Sequence, residues 1–113
     1  MTSKLLVVAD SLEGGLGSVA VAHARWFEAR GWQVTVAAPR ELTASLDAFE
    51  AVPFPETARD VIGMGRAARR MRAVHRAVAP AIVHCHGLRS FAATRLAGVK
   101  AFVTLHGAGL QLG

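Results

Sequence analysis

The sequence lacks several features that define common classes of protein. It has a single cysteine, which excludes an internal disulfide and leads us to expect a reducing, cytoplasmic compartment. No apolar run approaches the roughly 20 residues that a membrane-spanning helix needs. The run that follows Lys4 is too short for a signal peptide, and Asp10 ends it, so we interpret it as a buried strand.

Sequence signatures of several enzymes and nucleic-acid-binding proteins are missing too. There is no P-loop with its lysine, no Ser-His-Asp order and no pair of carboxylates at a predicted strand end. Arginine supplies most of the net charge of +5, yet we find no helix-turn-helix or zinc-finger spacing and no exposed aromatic ladder. We therefore expect neither hydrolase nor kinase chemistry, and no nucleic-acid partner.

Short apolar runs alternate with longer helical patterns along the 113 residues, a length that suits one domain. This alternation predicts an α/β fold, a Rossmann-like parallel sheet with helices on both faces. Because no helix follows the last predicted strand before Gly113, we expect the domain to be incomplete at its C-terminus. The predicted strands are 4–9, 33–38, 51–55, 81–84 and 101–105, and the predicted helices are 18–30, 59–78 and 88–96. We expect 51–55 to be an edge strand, where proline is tolerated. In the first helix one apolar face, which should pack on the sheet, carries Val19, Ala22, Trp26 and Phe27, and Gly31 is expected to end this helix.

Candidate ligand-binding residues follow three of the predicted strands, whose carboxyl ends should meet at one edge of the sheet. A glycine loop at residues 13–17 follows the first strand. Its backbone can approach a diphosphate or a sugar hydroxyl closely, beside the N-terminus of the next helix. His86 and His106 stand near the ends of later strands, where an imidazole can act near neutral pH. The substrate-binding candidates are Gly14, Gly15, Gly17, His86 and Gly107, and the catalytic candidate is His106.

The glycine loop has two other interpretations. It can be glycine-rich only to form the turn. Residues 15–20 also match the dinucleotide pattern G-x-G-x-x-A, although the match begins well after the strand and the second strand lacks the expected acid. Arg40 stands near that position and could bind the 2′-phosphate of NADP. A non-catalytic nucleotide- or NADP-binding module therefore remains the alternative function.

The histidines of the fourth strand suggest a metal site. Strand geometry places His84 and His86 on one face and Cys85 on the other. Two imidazoles need a third and a fourth ligand from elsewhere. His106 could supply one, but no carboxylate is near in sequence, so we expect no metal. We interpret Cys85 as a small core residue and His84 as a packed strand residue. We take His23, in the first helix, and His75, in the second, as incidental.

The second predicted helix carries a concentration of positive charge. A solvated helix face is the simplest interpretation of this pattern. A weak, salt-sensitive contact with an anionic inner-membrane surface is the alternative, which would make the protein peripheral. The arginines concerned are Arg66, Arg69, Arg70, Arg72 and Arg76.

Four segments, taken in order, make the sequence similar to the N-terminal domain of glycosyltransferase family 4, a group of retaining enzymes with the GT-B fold. The segments are the glycine-rich helix start at 13–19, the helix end and strand at 27–36, the Pro-x-x-x-His-x-His-Gly stretch at 80–87 and the strand with His-Gly at 102–107. Trp32 and Ala81 depart from the histidine and aspartate that are usual in the family.

The resemblance implies transfer of a sugar from a nucleotide-sugar donor to an acceptor with retention at the anomeric carbon, without a metal or other cofactor. It implies that residues 1–113 are the acceptor-side domain and that the C-terminal domain, which holds most of the donor site, is missing or belongs to a partner chain. The chain alone is then expected to be inactive. His106 would face the transferred sugar or the acceptor in a positioning role.

Overall fold

The fold is built on a five-stranded sheet in which every neighbouring pair of strands is parallel. The computed structural model describes residues 3–9, 14–38, 50–53 and 61–104. The strand order is β3-β2-β1-β4-β5, which puts the first strand at the centre, as in doubly wound α/β domains. The strands are β1 Lys4–Ala9, β2 Gln33–Ala38, β3 Glu50–Pro53, β4 Ile82–His86 and β5 Phe102–Thr104. The helices are α1 Gly14–Glu28, α2 Val61–Val78 and α3 Leu88–Leu96.

Helices cover both faces of the sheet, so the predicted Rossmann-like architecture is confirmed. Along β1, Leu5 and Val7 point toward one apolar cluster, while Leu6 and Val8 point toward another. A strand buried on both faces has a continuous apolar sequence, which is why β1 could be predicted from its composition. On the first face, Ala20 and Ala24 of helix α1 lie in one cluster with Leu5 and Val7 of β1. Helices α2 and α3 pack on the second with Ala67, Met71, Val74 and Ala93.

Three elements have the predicted bounds, namely β1, β2 and α3. Helix α1 differs, because it begins at Gly14 and ends at Glu28, so residues 14–17 form its first turn and not a loop. Glycine is unfavourable inside a helix by roughly 1 kcal/mol relative to alanine. Packing of the following turns against the sheet outweighs this local preference.

The buried stripe of α1 also differs from the prediction. The prediction placed Ala22 and Trp26 on the buried face, but Ala22 is exposed and Trp26 is 51% exposed. The buried positions are instead Ala20 and Ala24, whose small side chains let the helix lie close to the sheet. Trp26 faces outward, with the guanidinium carbon of Arg30 3.5 Å from its ring centroid, a cation–π contact.

Strand β4 extends to His86, two residues past its predicted end. The reason is pairing on both sides, since His86 lies opposite Ala9 of β1 and opposite Thr104 of β5. At the other edge of the described sheet, β3 ends at Pro53, and the prediction of an edge strand there is confirmed.

Two glycines stand where the backbone requires positive φ. Gly31 follows α1 with φ of 88°, as predicted for the residue that ends this helix. Gly87, with φ of 105°, makes the turn from β4 into α3. None of the described helices is long and apolar enough to cross a membrane.

Candidate functional site

The carboxyl ends of three strands meet at one edge of the sheet, as expected. Ala9 at the end of β1 is paired with His86 at the end of β4, and His86 is paired with Thr104 at the end of β5. Helix α1 begins five residues after Ala9, so its N-terminal turn follows the same edge in the chain. His106 and Gly107 lie outside the described residues, as do residues 10–13.

His86 is fully buried at this edge, with none of its surface exposed. Its ring stacks on that of His84, with centroids 4.6 Å apart and planes inclined by 14°. This stacking confirms that His84 and His86 share a face of β4. Direct contact between the His86 ring and a substrate stays a prediction, and it would require the ring to become accessible.

A third histidine covers the pair. The ring of His23 in α1 lies edge-on to His84 and His86, with centroid distances of 4.8 and 5.4 Å. We call these three residues the histidine cluster. One ligand-capable nitrogen from each lies within 4.8 Å of those of the other two. From the sequence alone His23 is interpreted as incidental, so this grouping is not predicted.

A sequence signal for His23 does exist. Ala20, His23, Ala24 and Phe27 follow the i, i+3, i+4, i+7 spacing of a single helical stripe. Three of them pack against the sheet as core or partly buried apolar residues. Once the stripe is assigned to these positions rather than to Ala22, the fourth member is His23, directed toward the same side of the sheet.

His84 is fixed by a neighbour on the edge strand. Its Nε2 atom lies 2.6 Å from the hydroxyl oxygen of Thr104 on β5. This contact holds the imidazole in one orientation beside His86. The tautomer of the ring decides whether Nε2 donates or accepts, and a hydroxyl can fill either role.

The opposite face of β4 is anchored by a chain of hydrogen bonds to α3. The Cys85 thiol donates to the Thr94 hydroxyl at 3.3 Å, and that hydroxyl donates to the Ser90 carbonyl at 2.7 Å. The Ser90 hydroxyl donates to the carbonyls of His86 and Gly87, both at 3.1 Å. Cys85 is fully buried, which confirms its interpretation as a small core residue. The chain of bonds fixes the end of β4 that carries His86.

The position of residues 15–20 in the fold can be compared with the dinucleotide fingerprint. In that fingerprint the glycines form the turn directly between strand and helix. Here residues 15–20 lie inside α1, with four residues between the end of β1 and the start of the helix. This position weighs against the dinucleotide interpretation. Arg40, on which the NADP option rests, lies outside the described residues.

The arginines of α2 are all exposed, whereas the buried side of this helix consists of Ala67, Ala68, Met71 and Val74. Val61 and Ile62, in the first turn, are also exposed, by 88% and 70%. The arginine side chains therefore lie outside the core, as either of their two interpretations requires.

The described fold is a Rossmann-like α/β domain of the kind found in GT-B glycosyltransferases. The sequence matches the model of Glycosyltransferase Family 4 over residues 13–112, and the chain belongs to this family. No curated protein shows significant sequence similarity to the chain.

Solved structures of glycosyltransferases have a fold similar to that of this chain. A glycosyltransferase from Rickettsia africae ESF-5 superposes with a TM-score of 0.70 at 15% identity, covering 90% of this chain and 29% of that one. MurG from Acinetobacter baumannii gives 0.71 at 15% identity, with 91% and 35% covered. SsfS6, a glycosyltransferase from Streptomyces sp. SF2575, gives 0.59 at 17% identity, with 91% and 39% covered. The chain thus spans between 29% and 39% of these three proteins.

Proposed function

We propose that this chain is the N-terminal, acceptor-side domain of a retaining glycosyltransferase, which transfers a sugar from a nucleotide-sugar donor to an acceptor. The observation that carries the proposal is the family match over residues 13–112. A second domain, in the same polypeptide or in a partner chain, would supply most of the donor site. No metal or other cofactor takes part in the proposed transfer.

The start of α1 is the proposed contact for the ligand. The first four N–H groups of a helix have no partner within the helix, and together they carry a partial positive charge. Gly14, Gly15 and Gly17 lie in this first turn. Glycines have no side chain to cover those N–H groups, so a phosphate or a sugar hydroxyl can approach the backbone. Gly107 would allow a similar approach beside His106.

The isolated chain should show no sugar transfer, because the donor half of the site is absent from it. Incubation with a panel of nucleotide sugars and acceptors, followed by product detection, checks this expectation. The positive control is the same chain joined to, or mixed with, a donor domain of the family. Turnover by the 113-residue chain alone would contradict the two-domain proposal.

The exposed arginines of α2 support a proposal of weak attachment to an anionic membrane surface. A basic residue near such a surface contributes about 1 kcal/mol, so replacing Arg66 and Arg69 by glutamine should weaken vesicle binding about thirtyfold at low salt. Exposed Val61 and Ile62 lie on the same helix and can add a small apolar contact. Co-sedimentation with anionic and neutral vesicles measures the effect.

A matched variant with Arg25 and Arg89 replaced by glutamine removes the same charge from exposed positions on other helices. It should bind anionic vesicles nearly as well as the unaltered chain. Equal losses in the two variants would show a general charge effect, and no preference for anionic lipid would leave α2 as a solvated face.

A further inference from the structure

The histidine cluster brings together three imidazoles that the sequence separates by more than 60 residues between the first and the last. We propose that His23, His84 and His86 form a binding site for a late first-row transition-metal ion, for which zinc is the best candidate. The site lies between α1 and β4. The proposed sugar transfer does not use this metal, and His86, a substrate-binding candidate, would act here as a metal ligand.

Two rigid elements supply the ligands. His84 and His86 are two residues apart on β4, so both rings leave the same face of the strand. His23 comes from α1 and lies over that face. The expectation of no metal considered only His106 as a further imidazole and rests on the lack of a carboxylate near in sequence. His23 is the third ligand, contributed by the buried stripe of the helix.

The donor atoms define the class of ion. Imidazole nitrogens suit zinc, copper and nickel, whereas magnesium and calcium prefer oxygen ligands. Three histidines with a fourth position left for water is a known zinc arrangement. The cluster therefore predicts binding of zinc and not of magnesium.

The distances between the three ligand nitrogens are somewhat longer than those in a zinc site. Zinc–nitrogen bonds of about 2.0–2.1 Å place tetrahedral ligand atoms roughly 3.3 Å apart. The three nitrogens lie within 4.8 Å of one another, so binding would draw them together by about 1.5 Å at most. The stacked rings of His84 and His86 would also tilt, so that their in-plane lone pairs converge. The proposal therefore requires the side chains to rotate by a corresponding amount.

Two observations on hydrogen bonding support the assignment. The Nδ1 atom of His23 is buried and makes no hydrogen bond in the described part of the chain. Buried polar atoms usually have a partner, and a metal ion would provide one. At His84, the hydroxyl oxygen of Thr104 lies 2.6 Å from Nε2. Metal-binding histidines commonly use their second nitrogen for such a hydrogen bond, which orients the ring.

A bound ion would join α1 to β4 beside the sheet edge at which the proposed acceptor site lies. It would therefore fix α1, whose first turn is the proposed ligand contact, relative to the end of β4. The effect of the metal should accordingly appear in affinity and stability measurements that are independent of transfer activity.

The test uses the untagged 113-residue chain, freed of metal with a chelator and titrated with Zn²⁺ in a calorimeter. We expect saturable binding of one ion per chain and none of Mg²⁺. His23→Leu should weaken zinc binding by at least about 100-fold, since it removes a ligand, and losing only a supporting contact already costs 10–100-fold. Leucine favours helices and suits this half-buried position, and circular dichroism verifies that the variant is folded.

His75→Leu is the matched control, because His75 is a half-buried helical histidine outside the cluster. Its zinc affinity should equal that of the unaltered chain. Thr104→Val should weaken binding by 10–100-fold while all three imidazoles remain. With Co²⁺ in place of zinc, the visible absorption should show tetrahedral coordination in the unaltered chain and lose it in His23→Leu.

Three results would overturn the proposal. Absence of saturable zinc binding would show that the cluster is a packed group of imidazoles. Zinc binding that survives His23→Leu would assign the ion to other residues, as would an equal loss in His75→Leu. These results decide whether His86 is a metal ligand, whereas the proposed sugar transfer rests on the family match and is tested separately by product detection.

Discussion

Replacement of Met71 by alanine is expected to lower the free energy of unfolding by about 2–5 kcal/mol, the usual cost of truncating a large buried side chain. Met71 is fully buried in the middle of α2, where it packs in the apolar cluster with Leu6, Val8 and Val83 of the central strands. Truncation removes these contacts and leaves a cavity that the rigid sheet cannot fill. Urea unfolding should show a lower midpoint with an unchanged slope.

Met71→Leu is the control, since it nearly conserves volume and should cost less than about 1.5 kcal/mol. The comparison separates the cavity from any general sensitivity of α2. If alanine and leucine at this position were equally tolerated, α2 would be packed more loosely against the sheet than its burial indicates.

The parallel direction of the strands could be predicted from the pattern of apolar residues along the chain, whereas their order in the sheet was not predicted. Leu5 to Val8 are apolar at every position, which is typical of a strand covered on both faces. Helical patterns between such strands then require parallel pairing. Gly31 and Gly87 mark turns whose positive φ follows from simple steric rules.

The parts that the sequence did not predict depend on packing between elements. The register of α1 was misassigned because a large aromatic residue, Trp26, suggests burial, whereas the sheet accepts only the small Ala20 and Ala24 at close approach. Because of this misassignment, His23 was not predicted to lie on the buried side of α1. The end of β4 was placed too early, because pairing with Ala9 and Thr104, which local patterns do not reveal, extends the strand to His86.

In the two-domain enzyme proposed above, His106→Ala should lower kcat by roughly 10²–10³-fold, the scale of losing one positioned contact to the transition state. His106 follows Thr104 by two residues, and Thr104 is paired with His86 at the sheet edge where β1 also ends. Gly107 and Gly109 follow it in the sequence and have no side chains, so we expect room for a sugar beside the ring. KM should change little, because a contact that acts on the transition state affects kcat and kcat/KM equally.

The competing interpretation is that backbone groups satisfy the His106 imidazole, so that its role is structural. In that case His106→Ala would lower the free energy of unfolding and leave kcat of the folded enzyme unchanged. Steady-state kinetics and urea unfolding of the same variant distinguish the two roles. His75→Ala is the matched control, because His75 lies on α2, which packs on the face of the sheet opposite to α1. A loss of kcat specific to His106, with the stability retained, is the result that the positioning role requires.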